Sequence, residues 1–154
     1  MIKILSKIIV FFLFFINFAS ADLIKPNSSL EPLDVLLIQL NSLKNNNNPY
    51  KDAGIEQTWE FAHPTNKVFT GPLERFKEMI YSESYKILIS HEKSETEILK
   101  ETLNKFVYKV YVLSKDKKKY YYIWQIERVE REGSLKGCWM TTNVSNPIYI
   151  GEII

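Results

Sequence analysis

Hydrophobic and polar positions divide this chain into a helical half followed by a strand half. From Glu31 onward, Leu33, Leu36, Leu37, Leu40 and Leu43 recur at i, i+3, i+4, i+7 and i+10, one broad apolar stripe on a helix. Pro32 suits a first helical turn, and Asp34 favours its positive end. The run Lys44-Asn45-Asn46-Asn47-Asn48-Pro49 stops that helix and reads as a polar loop. A second helix is predicted from Asp52, a plausible N-cap, with Ile55, Trp59 and Ala62 on one face. His63-Pro64 ends it, because a residue preceding proline is pushed out of the α region. Thr65 to Thr70 reads as a connector or a short strand. Gly71-Pro72 opens a third helix with Leu73, Phe76 and Ile80 as its apolar face.

After Tyr85 the period becomes alternating. The segments YKILISHE, TEILKE, KFVYKVYVLS, KYYYIWQIERVE and KGCWMTTNV all read as strands, rich in β-branched and aromatic residues. The stretch SETEILKETLNK is compatible with a strand or a short helix. Residues 115–119 and 132–136 read as turns. Three helices followed by a meander predict an α+β fold with N-terminal helices packed on one face of an antiparallel sheet.

Composition changes the picture at the N-terminus. MIKILSKIIVFFLFFINFASA has basic Lys3 and Lys7, an apolar run from Ile8 to Ile16, and Ala19-Ser20-Ala21. This is the pattern of a secretory signal peptide, and the apolar run is short of the ~20 residues that span a bilayer. Residues 1–21 are therefore expected to be a cleaved signal, 22–30 an extended leader and 31–150 a single domain. An uncleaved N-terminal anchor is the alternative, since Phe18 prolongs the apolar character. Export would place the domain in the periplasm or medium of a bacterium, or in the secretory pathway of a eukaryote, with no membrane contact after cleavage. The chain has 20 basic and 18 acidic residues; without Lys3 and Lys7 the counts are equal. No basic stripe interleaved with aromatics remains, so nucleic acid is not an expected partner. The single cysteine, Cys138, excludes an intrachain disulfide and a cysteine-rich zinc site. Two N-x-S sequons, at Asn27 and Asn143, matter only in a eukaryotic secretory pathway.

FAHPTNKVFTGPLERF, residues 61–76, resembles the family catalogued as domain of unknown function 4864, whose members often read FASP, a small loop, and GPLxRF. YYYIWQIERVE followed by GCWMTTNV resembles that family's closing pair of strands, and the likeness, led by PLDVLLIQLNSL, covers residues 31–148. The family is similar to the nuclear-transport-factor-like (SnoaL-like) superfamily. That resemblance implies a cystatin-like, SnoaL-like cone, a curved sheet wrapped around helices to enclose a cavity, and it implies homodimers that pair sheet to sheet. It brings no assigned reaction: related cones include ketosteroid isomerases, dehydratases, polyketide cyclases and non-catalytic binding modules.

Three residue types are candidates for chemistry. His63 titrates near neutrality and could serve as a base, but before Pro64 it can equally cap a turn, and the family pattern usually carries serine there. Glu127 and Asp52 are the other candidate bases. Asp52, Glu56 and Glu60 share a helix face, which fits a solvated face better than the alternative of an acidic cation site, and His91 reads as a solvent-facing strand end. No HxH, HxxxH, HExxH, GxSxG, P-loop or dinucleotide fingerprint is present, so neither a metal nor a cofactor is expected. On KYYYIWQIERVE, Tyr120, Tyr122, Trp124, Ile126 and Arg128 form one face, and Tyr121, Ile123, Gln125, Glu127 and Val129 the other. Any ligand cavity is expected to draw on Trp59, Phe61, Tyr122, Trp124, Cys138 and Met140, although dense packing favours a filled or nearly filled interior. Cys138 reads as a buried, inert thiol. The functional expectation is a non-catalytic binding or scaffolding module for a small hydrophobic ligand or a protein partner. The alternative is an isomerase- or hydrolase-like enzyme using His63, Glu127 or Asp52.

Overall fold

A computed structural model describes residues 22–153; the expected signal peptide lies outside the described residues. The first helix, α1 (Pro32–Lys44), begins where Asp34 Oδ2 accepts the backbone N–H of Glu31 at 2.9 Å, which satisfies an amide otherwise orphaned at a helix start. Its buried face is Val35, Leu36, Gln39, Leu40 and Leu43. The predicted stripe is thus corrected at two positions: Leu33 and Leu37 are exposed. The helix buries positions i, i+1, i+4, i+5 and i+8, which turns these two leucines onto its outer flank.

The asparagine run after α1 is a built turn rather than a plain polar loop. Asn46 is buried, its Oδ1 accepts from Ile55 N at 3.0 Å, and its carbonyl accepts from Gly54 N at 2.9 Å. Asn47 Oδ1 accepts from Asp52 N at 3.1 Å. These bonds start α2 (Ala53–Glu60). Asp52 stands at the N-cap position in the left-handed region (φ 66), but its side chain makes no capping bond. The two helices cross closely at Gly54, where an added Cβ would lie 2.0 Å from the Ser42 carbonyl oxygen.

Thr65–Thr70, expected as a connector, belongs to a third helix, α3 (Pro64–Thr70). Proline at its first position and a capping side chain from His63 supply what the short segment lacks in length. The fourth helix, α4 (Leu73–Ile80), buries Phe76 and Ile80. The predicted strand YKILISHE is also corrected. It forms a 3-10 turn, Lys86–Leu88, with Leu88 buried, because consecutive Ile87, Leu88 and Ile89 pack against the core without alternating.

Five strands form one antiparallel sheet: β1 (Lys93–Glu101), β2 (Lys105–Leu113), β3 (Lys118–Arg128), β4 (Trp139–Val144) and β5 (Ile148–Glu152). The ambiguous segment at residues 93–101 is therefore strand. β5 was not apparent from the sequence. The order is β1-β2-β3-β4, and β5 continues along the edge of β3 that β4 occupies. The break between them is patched by Ser145, whose N–H donates to the Ile123 carbonyl and whose Oγ accepts the Ile123 N–H. In β4 a register shift leaves Thr142 as an extra residue, so Thr141 opposes Ile126 while Asn143 opposes Gln125. The helices cover the face bearing Tyr108, Val110, Val112, Tyr122, Trp124 and Ile126, where the main core lies.

Replacing Gly54 by alanine forces the new methyl onto backbone atoms of α1. Gly54→Ala is expected to destabilise the fold by about 3 kcal/mol or more, read as a lower denaturant midpoint in urea titration.

Candidate functional site

The site is organised by Thr141, in the middle of β4. Its N–H donates to the Phe61 carbonyl and its carbonyl accepts from His63 N, both at 2.8 Å. This isolated bridge at Ala62 fastens the α2–α3 corner to the sheet. The same carbonyl accepts from Asn66 Nδ2 at 3.3 Å. On the side chain, Oγ1 donates to Gln39 Oε1 at 2.6 Å and accepts from Trp124 Nε1 at 3.0 Å. Gln39 Nε2 in turn donates to the Thr58 carbonyl at 3.1 Å. A polar chain therefore runs from α2 through α1 and β4 to β3 inside the core. Every member is partnered, as burial in a low dielectric demands.

Beside this chain lies a cavity of about 120 Å³. Its inner wall is apolar, built from Leu43, Phe76, Ile80, Leu88 and Trp124. Gln39, Thr58 and Thr141 form a polar patch on that wall. Asn66, Thr70 and Asn143 line it toward the surface, and of these Asn143 is exposed. Tyr85 is the one titratable lining residue; burial pushes its phenol upward, so it stays protonated and donates to the Val144 carbonyl at 2.9 Å. Among the described residues, no carboxylate, lysine, arginine or histidine lines the cavity.

The structure places the six expected lining residues differently from one another. Trp124 lines the cavity. Phe61 is fully buried in the core, and Tyr122 is buried with its hydroxyl donating to the Ser84 carbonyl. Trp59 packs on Phe76, ring centroids 4.9 Å apart, beneath the Lys67 ammonium. Cys138 and Met140 lie in a separate small cluster with Val129 and Leu135, and burial holds the Cys138 thiol proton on. The alternation of β4 is phased so that Trp139 and Thr141 join the core chain. Gln39 carried the signal that could have located the site: it is the polar residue on the buried face of α1, among Leu36, Leu40 and Leu43.

Of the three candidate bases, His63 and Glu127 meet in a surface basin with Lys105, Arg128 and Arg131. Glu127 pairs with Lys105 at 3.2 Å and accepts from Gln125 Nε2 at 2.7 Å. His63 caps α3, its Nδ1 accepting from Thr65 N at 3.2 Å. Asp52 stands elsewhere, accepting from the hydroxyl of Tyr81 and from Asn46. Its helix neighbours are also engaged, Glu56 with Lys77 and Glu60 with Lys25, each at 3.0 Å. Among the described residues, no cluster of three or more histidine, cysteine or carboxylate groups could hold a metal, and no helix is long and apolar enough to cross a membrane.

His91 is buried, not a solvent-facing strand end, and its Nδ1–H donates to the Leu88 carbonyl at 2.7 Å. Desolvation lowers the proton affinity of both His63 and His91 below the ordinary 6.5. The unfolded chain then binds more protons than the folded one just below that value. Stability is fully present above pH ~6.5 and declines as pH falls through the two folded-state values. The urea midpoint is expected to drop on acidification from pH 7 to 5, with a shallower drop in His91→Asn, whose amide can replace the Nδ1–H donor.

Thr141→Val keeps the shape but orphans Trp124 Nε1 and Gln39 Oε1, an expected cost of about 2–4 kcal/mol. Thr141→Ser retains the hydroxyl and is expected to cost about 1 kcal/mol. Thermal melts of the two variants side by side check the difference. Comparison of the chain with protein-family models, with curated proteins and with solved structures finds no match.

Proposed function

We propose that this chain is an exported, non-catalytic binding module that holds a small hydrophobic ligand between its helices and sheet. One observation carries the reading: a mainly apolar cavity with a small hydrogen-bonded polar patch and no ionisable lining group except a phenol held protonated. Ligand pockets are built this way, with few polar groups on an apolar wall. Proton-transfer catalysis, in contrast, needs a group in the cavity that titrates near working pH. The signal-like pattern of residues 1–21 supports export, and the resemblance at residues 61–76 supports the cone form of the α+β fold and sheet-to-sheet homodimers.

A second reading rests on the basin shared by His63 and Glu127. It would make the chain an isomerase- or hydrolase-like enzyme. The capping bond to Thr65 occupies His63 Nδ1 and leaves only Nε2 for substrate, which weighs against it.

Thr70 stands at the outer part of the cavity and is half-buried, so Thr70→Phe plugs the opening with little cost to the core. A thermal-shift screen of apolar small molecules is expected to stabilise the wild type by a few degrees and to leave Thr70→Phe unmoved. If no compound shifts the wild type, or both proteins shift alike, the cavity is not the binding site.

A further inference from the structure

The chemistry of the cavity wall narrows the ligand class, an inference that rests on reading the cavity as the binding site. Its volume, about 120 Å³, is close to the ~150 Å³ of an engineered apolar cavity that takes up benzene. One ring or a branched chain of similar bulk fills it. No lining side chain carries a charge, so an ion entering would shed its water without meeting a counter-charge.

The polar lining groups have specific spare capacity. Gln39 Nε2 has two N–H bonds and spends one on the Thr58 carbonyl. Asn66 Nδ2 spends one on the Thr141 carbonyl, and its Oδ1 has no partner among the described residues. The side-chain amide of Asn143 makes no hydrogen bond among the described residues. The unspent groups are thus amide N–H donors and amide C=O acceptors, those of Gln39 and Asn66 on side chains that both bond to Thr141. An uncharged head that both donates and accepts answers them, whereas a bare hydrocarbon offers them no partner.

We propose that the cavity selects a compact uncharged molecule of about one ring, its apolar body against Leu43, Phe76 and Leu88 and a carboxamide or hydroxyl head on the amides of Gln39 and Asn66.

The test uses a matched series on the full chain: benzamide, benzyl alcohol, benzene, benzoate and benzylamine, with saturable binding measured by ligand-observed NMR and dissolved xenon as a probe of the cavity itself. Benzamide and benzyl alcohol are expected to bind at least ~tenfold more tightly than benzoate and benzylamine, and more tightly than benzene. Asn66→Asp adds a negative charge without changing size; it is expected to weaken benzamide and to bring benzylamine up relative to it. Equal binding of benzoate, or of benzene and benzamide, overturns the selection for a neutral polar head. If xenon enters but none of the five compounds binds, the ligand class is wrong while the cavity stands. If xenon does not enter either, the reading of the cavity as a binding site fails with it.

Discussion

The structure depends on one residue meeting four elements at once. Through its backbone Thr141 fastens the α2–α3 corner to the sheet; through its hydroxyl it joins α1 to β3 by way of Gln39 and Trp124. Hydrophobic contact is non-directional and would let the helical layer slide over the sheet. Directed hydrogen bonds within a dry core do not permit that, because any shift leaves buried partners unmet. The position of the helices over the sheet is therefore fixed by a few polar bonds, while apolar burial provides the bulk of the driving force. The cavity exists where this chain of bonds holds α1, α2 and β4 at a set separation that the neighbouring side chains do not entirely fill.

Charge is distributed so that this interior stays neutral. Glu56 and Glu60 of α2 are matched at the surface by Lys77 and Lys25, and Asp52 before the helix accepts from the Tyr81 hydroxyl. The mixed basin around His63 and Glu127 lies on the outside. On the uncovered sheet face, Lys109 sits over the rings of Tyr111 and Tyr121 at 5.1 and 4.4 Å. Ions thus occur where water can solvate them, and the cavity keeps only amides, hydroxyls and hydrocarbon.

How much of this was legible depended on whether one strand or helix sufficed to decide. The two faces of β3 were, because the large apolar Tyr122, Trp124 and Ile126 share one face of an eleven-residue strand whose other face carries Gln125 and Glu127. The α+β order was legible for the same reason. The true buried face of α1 was not: leucine sits on both flanks, and only contact with the sheet chooses Val35 over Leu33. Around β4, the local pattern points to Cys138 and Met140 as cavity residues, whereas Trp139 and Thr141 take the main-core side. The choice is made by pairing with β3 and by the extra residue at Thr142, neither of which leaves a local trace. The helical state of Pro64–Thr70 and the turn at Lys86–Leu88 leave no pattern to follow, because both segments are too short to display a period. β5 escaped notice because its pairing partner lies some thirty residues earlier.

The third helix has a consequence for time rather than for affinity. None of its seven residues is buried, Val68 and Phe69 point their bulk to solvent, and yet Asn66 and Thr70 stand along the outer part of the cavity. Its polar hold on the body is two bonds to the Thr141 carbonyl, one from the backbone N–H of His63 and one from Asn66, with the Lys67 ammonium over the Trp59 ring. Segments held by so few buried contacts open locally at a small fraction of the global unfolding free energy. On the proposed binding reading, entry and exit of a guest would be paced by the lifting of one short helix, and the core that gives the protein its persistence would not need to loosen.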